Sequence, residues 1–263
     1  MKINFFKYQG TGNDFIILDN RSGTFSKLTS DQIRKLCDRR FGVGADGLMM
    51  LNEKQGYDFE MGYYNADGKA GTMCGNGGRC MVKFIFDLGI QKSLYRFWAI
   101  DGEHEATIDE EGIVSLKMQN VNKVEKHNGH FILNTGSPHY IKLVNNLSEL
   151  DVFAKGREIR YGKEYKEEGI NVNFVEQSGK PDKISVRTYE RGVENETLSC
   201  GTGVTAAAIV CHHNEKGFNE VEVQTPGGLL TVEYVRLDND HYRDIWLCGP
   251  AEKVFEGIIH LPD

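Results

Sequence analysis

Apolar and polar residues alternate in many short runs along the chain, as in Asp58-Phe59-Glu60-Met61 and Glu220-Val221-Glu222-Val223. That period of two belongs to half-buried strands. It predicts strands over Lys2–Lys7, Asp14–Leu18, Tyr57–Tyr64, Leu94–Ile100, Ile113–Met118, Phe131–Leu133, Tyr140–Leu143, Asn171–Glu176, Lys183–Tyr189, Glu220–Thr225, Leu229–Val235 and Asp244–Leu247. Helical spacing is rarer. Thr29 and Gln32 form a capping box ahead of Ile33, Leu36 and Cys37, which share one face. A second helix runs from Arg79 through Phe86 to a C-cap at Gly89. A third, Val204 to Cys211, is apolar on every side and is therefore expected to be buried.

The last two helices each follow the same tetrad, Cys74-Gly75-Asn76-Gly77 and Cys200-Gly201-Thr202-Gly203, 126 positions apart. Gly12 and Gly136 are offset by 124, Asn65 and Glu190 by 125. Three landmarks in near register, at about half the chain length, indicate an internal duplication. The expected fold is α+β: two pseudo-symmetric domains, each a curved, mostly antiparallel sheet wrapped around one central helix. The halves are 1–118, carrying Cys74, and 119–251, carrying Cys200, with 252–263 able to complete the first. The active site is expected in the cleft between them.

Composition narrows the function classes. The chain has 263 residues and a formal charge of −7, which disfavours nucleic acid as a partner. No apolar run is long enough to span a membrane, and the N-terminus lacks a signal-peptide core, so a cytoplasmic location is expected. Six cysteines without a Cys-x-x-Cys pair suit neither a disulfide scaffold nor a zinc site, and no metal is expected. Gly42-Val43-Gly44-Ala45-Asp46-Gly47 fits a dinucleotide fingerprint, but it follows a helix tail and opens no helix, so NAD is rejected.

Thiols then remain as chemistry. A cysteine at a helix N-terminus lies beside unpaired amides and the positive end of the helix dipole, which favour thiolate. The amides of Gly75, Asn76, Gly201 and Thr202 suit a substrate carboxylate. Alone, either tetrad would more simply be a buried cysteine before a glycine turn. Matched thiols, however, suit a reaction that needs a base on one face of a carbon acid and an acid on the other. The duplication thus points to a racemase or epimerase.

Gly10-Thr11-Gly12-Asn13-Asp14-Phe15, Asn65-Ala66-Asp67-Gly68, Cys74 to Cys80, Glu190-Arg191-Gly192 and Cys200 to Gly203 together resemble the diaminopimelate epimerases, in order and over the whole chain. The resemblance implies a cofactor-independent epimerase of LL- and meso-diaminopimelate, serving lysine and cell-wall precursor synthesis, usually as a homodimer. It implies Cys74 and Cys200 as acid–base residues, with His139 and Glu190 tuning them. It also implies substrate contacts from Asn13, Asn65, Gly75, Asn76, Asn171, Glu190, Arg191, Gly201 and Thr202. Three positions depart from the common pattern: Gly47 replaces Gln, Ser137 replaces Asn, and 193–197 is one residue longer. The rivals are a two-thiol racemase of another amino acid, such as histidine, and an amino-acid-binding homologue without turnover.

Overall fold

The computed structural model describes residues 1–180, 182–211 and 215–261. The chain divides into two compact units, Met1–Leu116 together with the chain from Pro250, and Lys117–Gly249. Pro262 and Asp263, at the end of the stretch expected to complete the first half, lie outside the described residues.

The first unit holds β1 (Lys2–Gly10), β2 (Asn13–Asp19), α1 (Ser30–Cys37), β3 (Gly47–Asn52), β4 (Phe59–Asn65), α2 (Gly75–Asp87), β5 (Tyr95–Ala99), β6 (Gly102–Ile108) and β7 (Ile113–Lys117). The second holds β8 (Val124–His127), β9 (His130–Asn134), β10 (Pro138–Leu143), α3 (Val152–Arg160), β11 (Asn171–Gln177), β12 (Lys183–Glu190), β13 (Asn195–Thr197), α4 (Gly201–Cys211), β14 (Gly217–Thr225), β15 (Gly228–Arg236) and β16 (Tyr242–Pro250). The last strand, β17 (Glu252–His260), returns to the first unit and pairs with β1.

Each unit follows the same strand order. In the first the order is β17-β1-β2-β3-β4-β5-β6-β7, and only β2–β3 and β4–β5 are parallel. In the second it is β8-β9-β10-β11-β12-β14-β15-β16, and only β10–β11 and β12–β14 are parallel. Each is an α+β unit with a mostly antiparallel sheet. The registers correspond as well: Phe15 lies opposite Gly47, and His139 opposite Asn171. The ladder explains why the chain end is needed. Without β17, β1 would expose a nine-residue row of unpaired amides and carbonyls.

Burial sorts the helices. α4 is covered on all sides, with Val204, Thr205, Ala206, Ala207, Ala208 and Ile209 fully inside the core of its unit. α1 carries its capping box, with Gln32 N to Thr29 Oγ1 at 3.3 Å and Thr29 N to Gln32 Oε1 at 3.0 Å, and buries Ile33, Leu36 and Cys37. α2 begins four residues before Arg79 and ends at Asp87, with Gly89 beyond it at φ +84°. Among the described residues, no helix is long and apolar enough to cross a membrane.

Candidate active site

Cys74 is the N-cap of α2, extended at φ −106° and ψ 126°, and its carbonyl accepts the first helical bond from Gly78 N at 2.8 Å. The amides of Gly75, Asn76 and Gly77 precede that first bond, at the open end of the helix. The half-buried Cys74 thiol donates to Asn13 Oδ1 at 3.5 Å. Asn13 in turn donates through Nδ2 to Asp46 Oδ2 at 2.6 Å. Arg79 is fully buried in the first turn of α2, with Nη2 on Thr11 Oγ1 at 2.6 Å and on Asn76 Oδ1 at 3.0 Å. It ties Asn76 to the β1–β2 turn. Asn65 ends β4 exposed, opposite Gly47.

Gly47 is required locally. A Cβ there would stand 2.6 Å from the Tyr63 ring and 2.7 Å from the Tyr64 carbonyl. The Tyr63 ring thus occupies the room beside residue 47.

In the second unit Cys200 takes the equivalent position. Its carbonyl accepts from Val204 N at 2.8 Å, and its sulfur lies 3.6 Å from Thr202 Oγ1. Thr135 Oγ1 donates to the Thr202 carbonyl at 2.7 Å and fixes that first turn. His139 and Asn173, both fully buried, pack beneath it. A Cβ on Gly203 would stand 2.2 Å from Asn173 Oδ1 and 3.4 Å from His139 Cε1. The corresponding neighbours of Gly77 are Met49 and Phe15. The same place in the ladder is thus apolar under Cys74 and polar under Cys200.

Hydrogen bonds define the His139 tautomer. Asn173 Nδ2 lies 3.2 Å from the Tyr140 carbonyl, which can only accept, so the same NH2 donates to His139 Nδ1 at 3.1 Å. Thr188 Oγ1 donates to Asn173 Oδ1 at 2.8 Å. The ring proton of neutral His139 is therefore on Nε2, a buried donor with no acceptor among the described residues. Burial, followed by the charge of Arg191, lowers the imidazole pKa to about 3.

A stability effect follows. An unfolded His139 takes up a proton near pH 6.5, while the folded one stays neutral until about 3. The unfolded state binds more protons across that window, so stability is intact above pH 6.5 and is lost as pH falls toward 3. The slope is about 1.4 kcal/mol per pH unit. Urea titrations from pH 7 to 5 are expected to show it in the wild type and to lose this component in His139→Phe; an identical slope in both would remove the assignment.

The remaining residues gather at the start of β11, the end of β12 and the loops after β12 and before β10. Asn171 donates to Ser137 Oγ at 2.9 Å and to the Pro138 carbonyl at 3.2 Å, and accepts from Arg191 N at 2.8 Å. Arg191 reaches Ser137 Oγ with Nη2 at 3.3 Å and the Glu168 carbonyl with Nη1 at 3.1 Å. Glu190 accepts from Thr197 Oγ1 at 2.9 Å. Ser137 thereby joins Asn171 to Arg191. The longer 193–197 segment is pinned by Glu194, at φ +57°, which accepts from Tyr189 Oη at 3.2 Å and Gly192 N at 3.1 Å.

The other cysteines are core. Cys37 and Cys211 are pushed up to about 12 by burial, Cys80 is raised further by the same cause, and Cys248 is buried. Sequence reasoning missed Asp46, Arg79, Asn173 and Thr188, whose partners are distant in the chain.

The family model described as "Diaminopimelate epimerase" matches residues 5–124 and 131–254. The chain is 52% identical to the diaminopimelate epimerase of Flavobacterium psychrophilum, over 97% of this chain and 99% of that one. It is 46% identical to that of Chlorobaculum tepidum, over 96% and 99%. Among solved structures it resembles a PhzF-family phenazine biosynthesis protein of Bacillus anthracis, with TM-score 0.77, 16% identity and 99% and 100% coverage. It also resembles a hydroxyproline epimerase of Agrobacterium vitis, with TM-score 0.67, 14% identity and 100% and 93% coverage. At these identities the two structures speak to the fold.

Proposed function

The chain belongs to the diaminopimelate epimerase family, and from that premise we propose that it interconverts LL- and meso-diaminopimelate by proton transfer between two thiols, Cys74 and Cys200. The observation that supports this most directly is their equivalence: each carbonyl opens the central helix of its unit, ahead of glycine-rich amides, in two ladders of identical pairing. The enzyme is an isomerase. In the forward sense one thiolate takes the α-proton, leaving the electron pair delocalised into the α-carboxylate. The thiol on the opposite face then gives its proton to that carbon, so one thiol is consumed and one formed. The carboxylate is held by the amides of Gly75, Asn76, Gly201 and Thr202, and the charge that develops in it is stabilised there. The mechanism requires the two sulfurs to reach opposite faces of one carbon.

Asn13, Asn65, Asn171, Glu190 and Arg191 supply the remaining substrate contacts in this reading, since a substrate with an amino-acid group at each end needs donors and acceptors away from the reacting carbon. His139 and Glu190 tune the thiols. The working form is a cytoplasmic homodimer, which sedimentation at twice the chain mass checks.

The test is NMR of the reduced, chelator-treated protein with LL-diaminopimelate in D2O, without added pyridoxal phosphate. The α-proton signal is expected to vanish as the meso isomer appears. A folded, reduced sample that leaves the substrate untouched would withdraw the substrate assignment, and histidine would be assayed next.

A further inference from the structure

We propose that Asp46 is a positioning residue that turns the Asn13 amide oxygen, rather than its NH2, toward Cys74 and so holds Cys74 as the thiol in the free enzyme. This rests on reading Cys74 as one of the two acid–base groups.

The two ends of an asparagine amide have nearly the same shape, so only neighbours decide which faces where. Here the neighbour is decisive. Asp46 Oδ2 lies 2.6 Å from Asn13 Nδ2 and also accepts from Asp14 N at 3.2 Å. Turning the amide over would set two oxygens 2.6 Å apart, one of them carrying negative charge.

Asp46 is also held from its far side. Its other oxygen is paired with Arg39 Nη2 at 2.7 Å. Arg39 also grips Asp14 through two bonds, at 2.6 and 2.9 Å, and Asp14 is paired with the buried Lys7 at 2.7 Å. Lys7 in turn donates to the Gly44 carbonyl. Burial opposes the Asp14 charge, yet the Arg39 and Lys7 hydrogen bonds keep that carboxyl well below the usual carboxylate range. Arg39, Lys7 and Asp14 thus hold Asp46 in place behind Asn13. On the helix side, the titratable groups of α2 are Arg79, Cys80, Lys83 and Asp87, the last two paired with each other.

The consequence falls on the sulfur. An amide oxygen 3.5 Å away accepts a hydrogen bond from S–H, but it repels S⁻. At Cys200 the sulfur lies 3.6 Å from the Thr202 hydroxyl, which can donate to it. The free enzyme is therefore set with its shared proton on Cys74. Cys200 is set to take the substrate proton and Cys74 to deliver one.

Iodoacetamide labelling of the free enzyme over a pH series, with the Cys74 peptide quantified by mass spectrometry, tests this without requiring turnover. In Asp46→Asn the new carbonyl must face Arg39, so its NH2 faces Asn13. The Asn13 amide then turns over and offers N–H to the sulfur. The pH of half-maximal Cys74 labelling is expected to fall by about one unit. Asn13→Ala, which merely deletes the acceptor, should lower it by less, and adding Asp46→Asn in that background should change nothing more.

An unmoved midpoint in a folded Asp46→Asn protein, or the same shift with Asn13 absent, would overturn the proposal. If Asp46→Asn does not fold, an unchanged or raised midpoint in Asn13→Ala is the overturning result. Turnover of diaminopimelate is scored separately: expected labelling shifts in a protein whose Cys74→Ala variant still epimerises would sink the functional reading and leave the Asp46–Asn13 geometry standing.

Discussion

Replacing either Cys74 or Cys200 with alanine is expected to cut epimerisation by about 10³- to 10⁴-fold, the contribution of a positioned acid or base. That is about 4–5.5 kcal/mol of barrier. Folding should survive, because a Cys→Ala change removes one sulfur from sites that are half-buried at 74 and 8% exposed at 200. Loss of rate alone would not distinguish two bases from one base and a bystander, but isotope exchange does. In Cys200→Ala the remaining thiol still faces one side of the α-carbon, so it can remove a proton and return a deuteron to that same side. One stereoisomer should then exchange its α-hydrogen in D2O without inverting. Cys74→Ala should exchange only the α-hydrogen of opposite configuration. Complementary exchange with inversion abolished in both is the expected NMR result; both variants exchanging the same isomer, or either turning over near the wild-type rate, would end the two-thiol mechanism.

Much of the fold was legible in the chain because the signals are local. A cysteine followed by Gly-x-Gly and then an apolar helix can be read without knowing what it packs against, as can the capping box at Thr29. The duplication was legible because its landmarks keep offsets of 124 to 126 residues. What escaped was set by distant partners. Asp46 sits inside a misleading glycine motif, and the run after it, Leu48–Leu51, is a buried strand parallel to β2 rather than the start of a helix. α3 was missed because its sequence is polar and broken by Gly156, which is there because a Cβ would stand 2.3 Å from Tyr189 Cβ. β17 is largely exposed, so its side chains carry no strand pattern; it exists to satisfy the backbone of β1. Asn173 and Thr188 lie in strands whose apolar neighbours dominate the pattern, and no sequence period shows that an amide sits beneath a helix.

The contrast between the two units leads to a second large effect, at Gly203. Alanine in a helix is ordinarily better than glycine by about 1 kcal/mol. At Gly203 the added methyl would lie 2.2 Å from Asn173 Oδ1 and 3.2 Å from its Cγ. Asn173 has nowhere to go: it is fully buried and bonded to Thr188, His139 and the Tyr140 carbonyl. Displacing it strands buried polar groups at about 1–3 kcal/mol each, so Gly203→Ala should cost about 3 kcal/mol or more net. A melting midpoint lower by on the order of 10 °C is expected. Turnover at 25 °C should fall as well, since the same shift disturbs the His139 tautomer.

Gly77→Ala is the internal control. It meets Met49 Sδ at 3.1 Å, the far end of a flexible thioether, and Phe15 at 3.5 Å. Its cost should stay within about 1 kcal/mol, offset by helix propensity. Adding Asn173→Ala to Gly203→Ala removes the clash but leaves Thr188 Oγ1, His139 Nδ1 and the Tyr140 carbonyl without their amide, so the pair should cost less than the sum of the two single changes and should not recover turnover. Equal melting shifts at Gly77 and Gly203 would show that the polar floor beneath Cys200 is not rigid, and the tautomer assignment would fall with it.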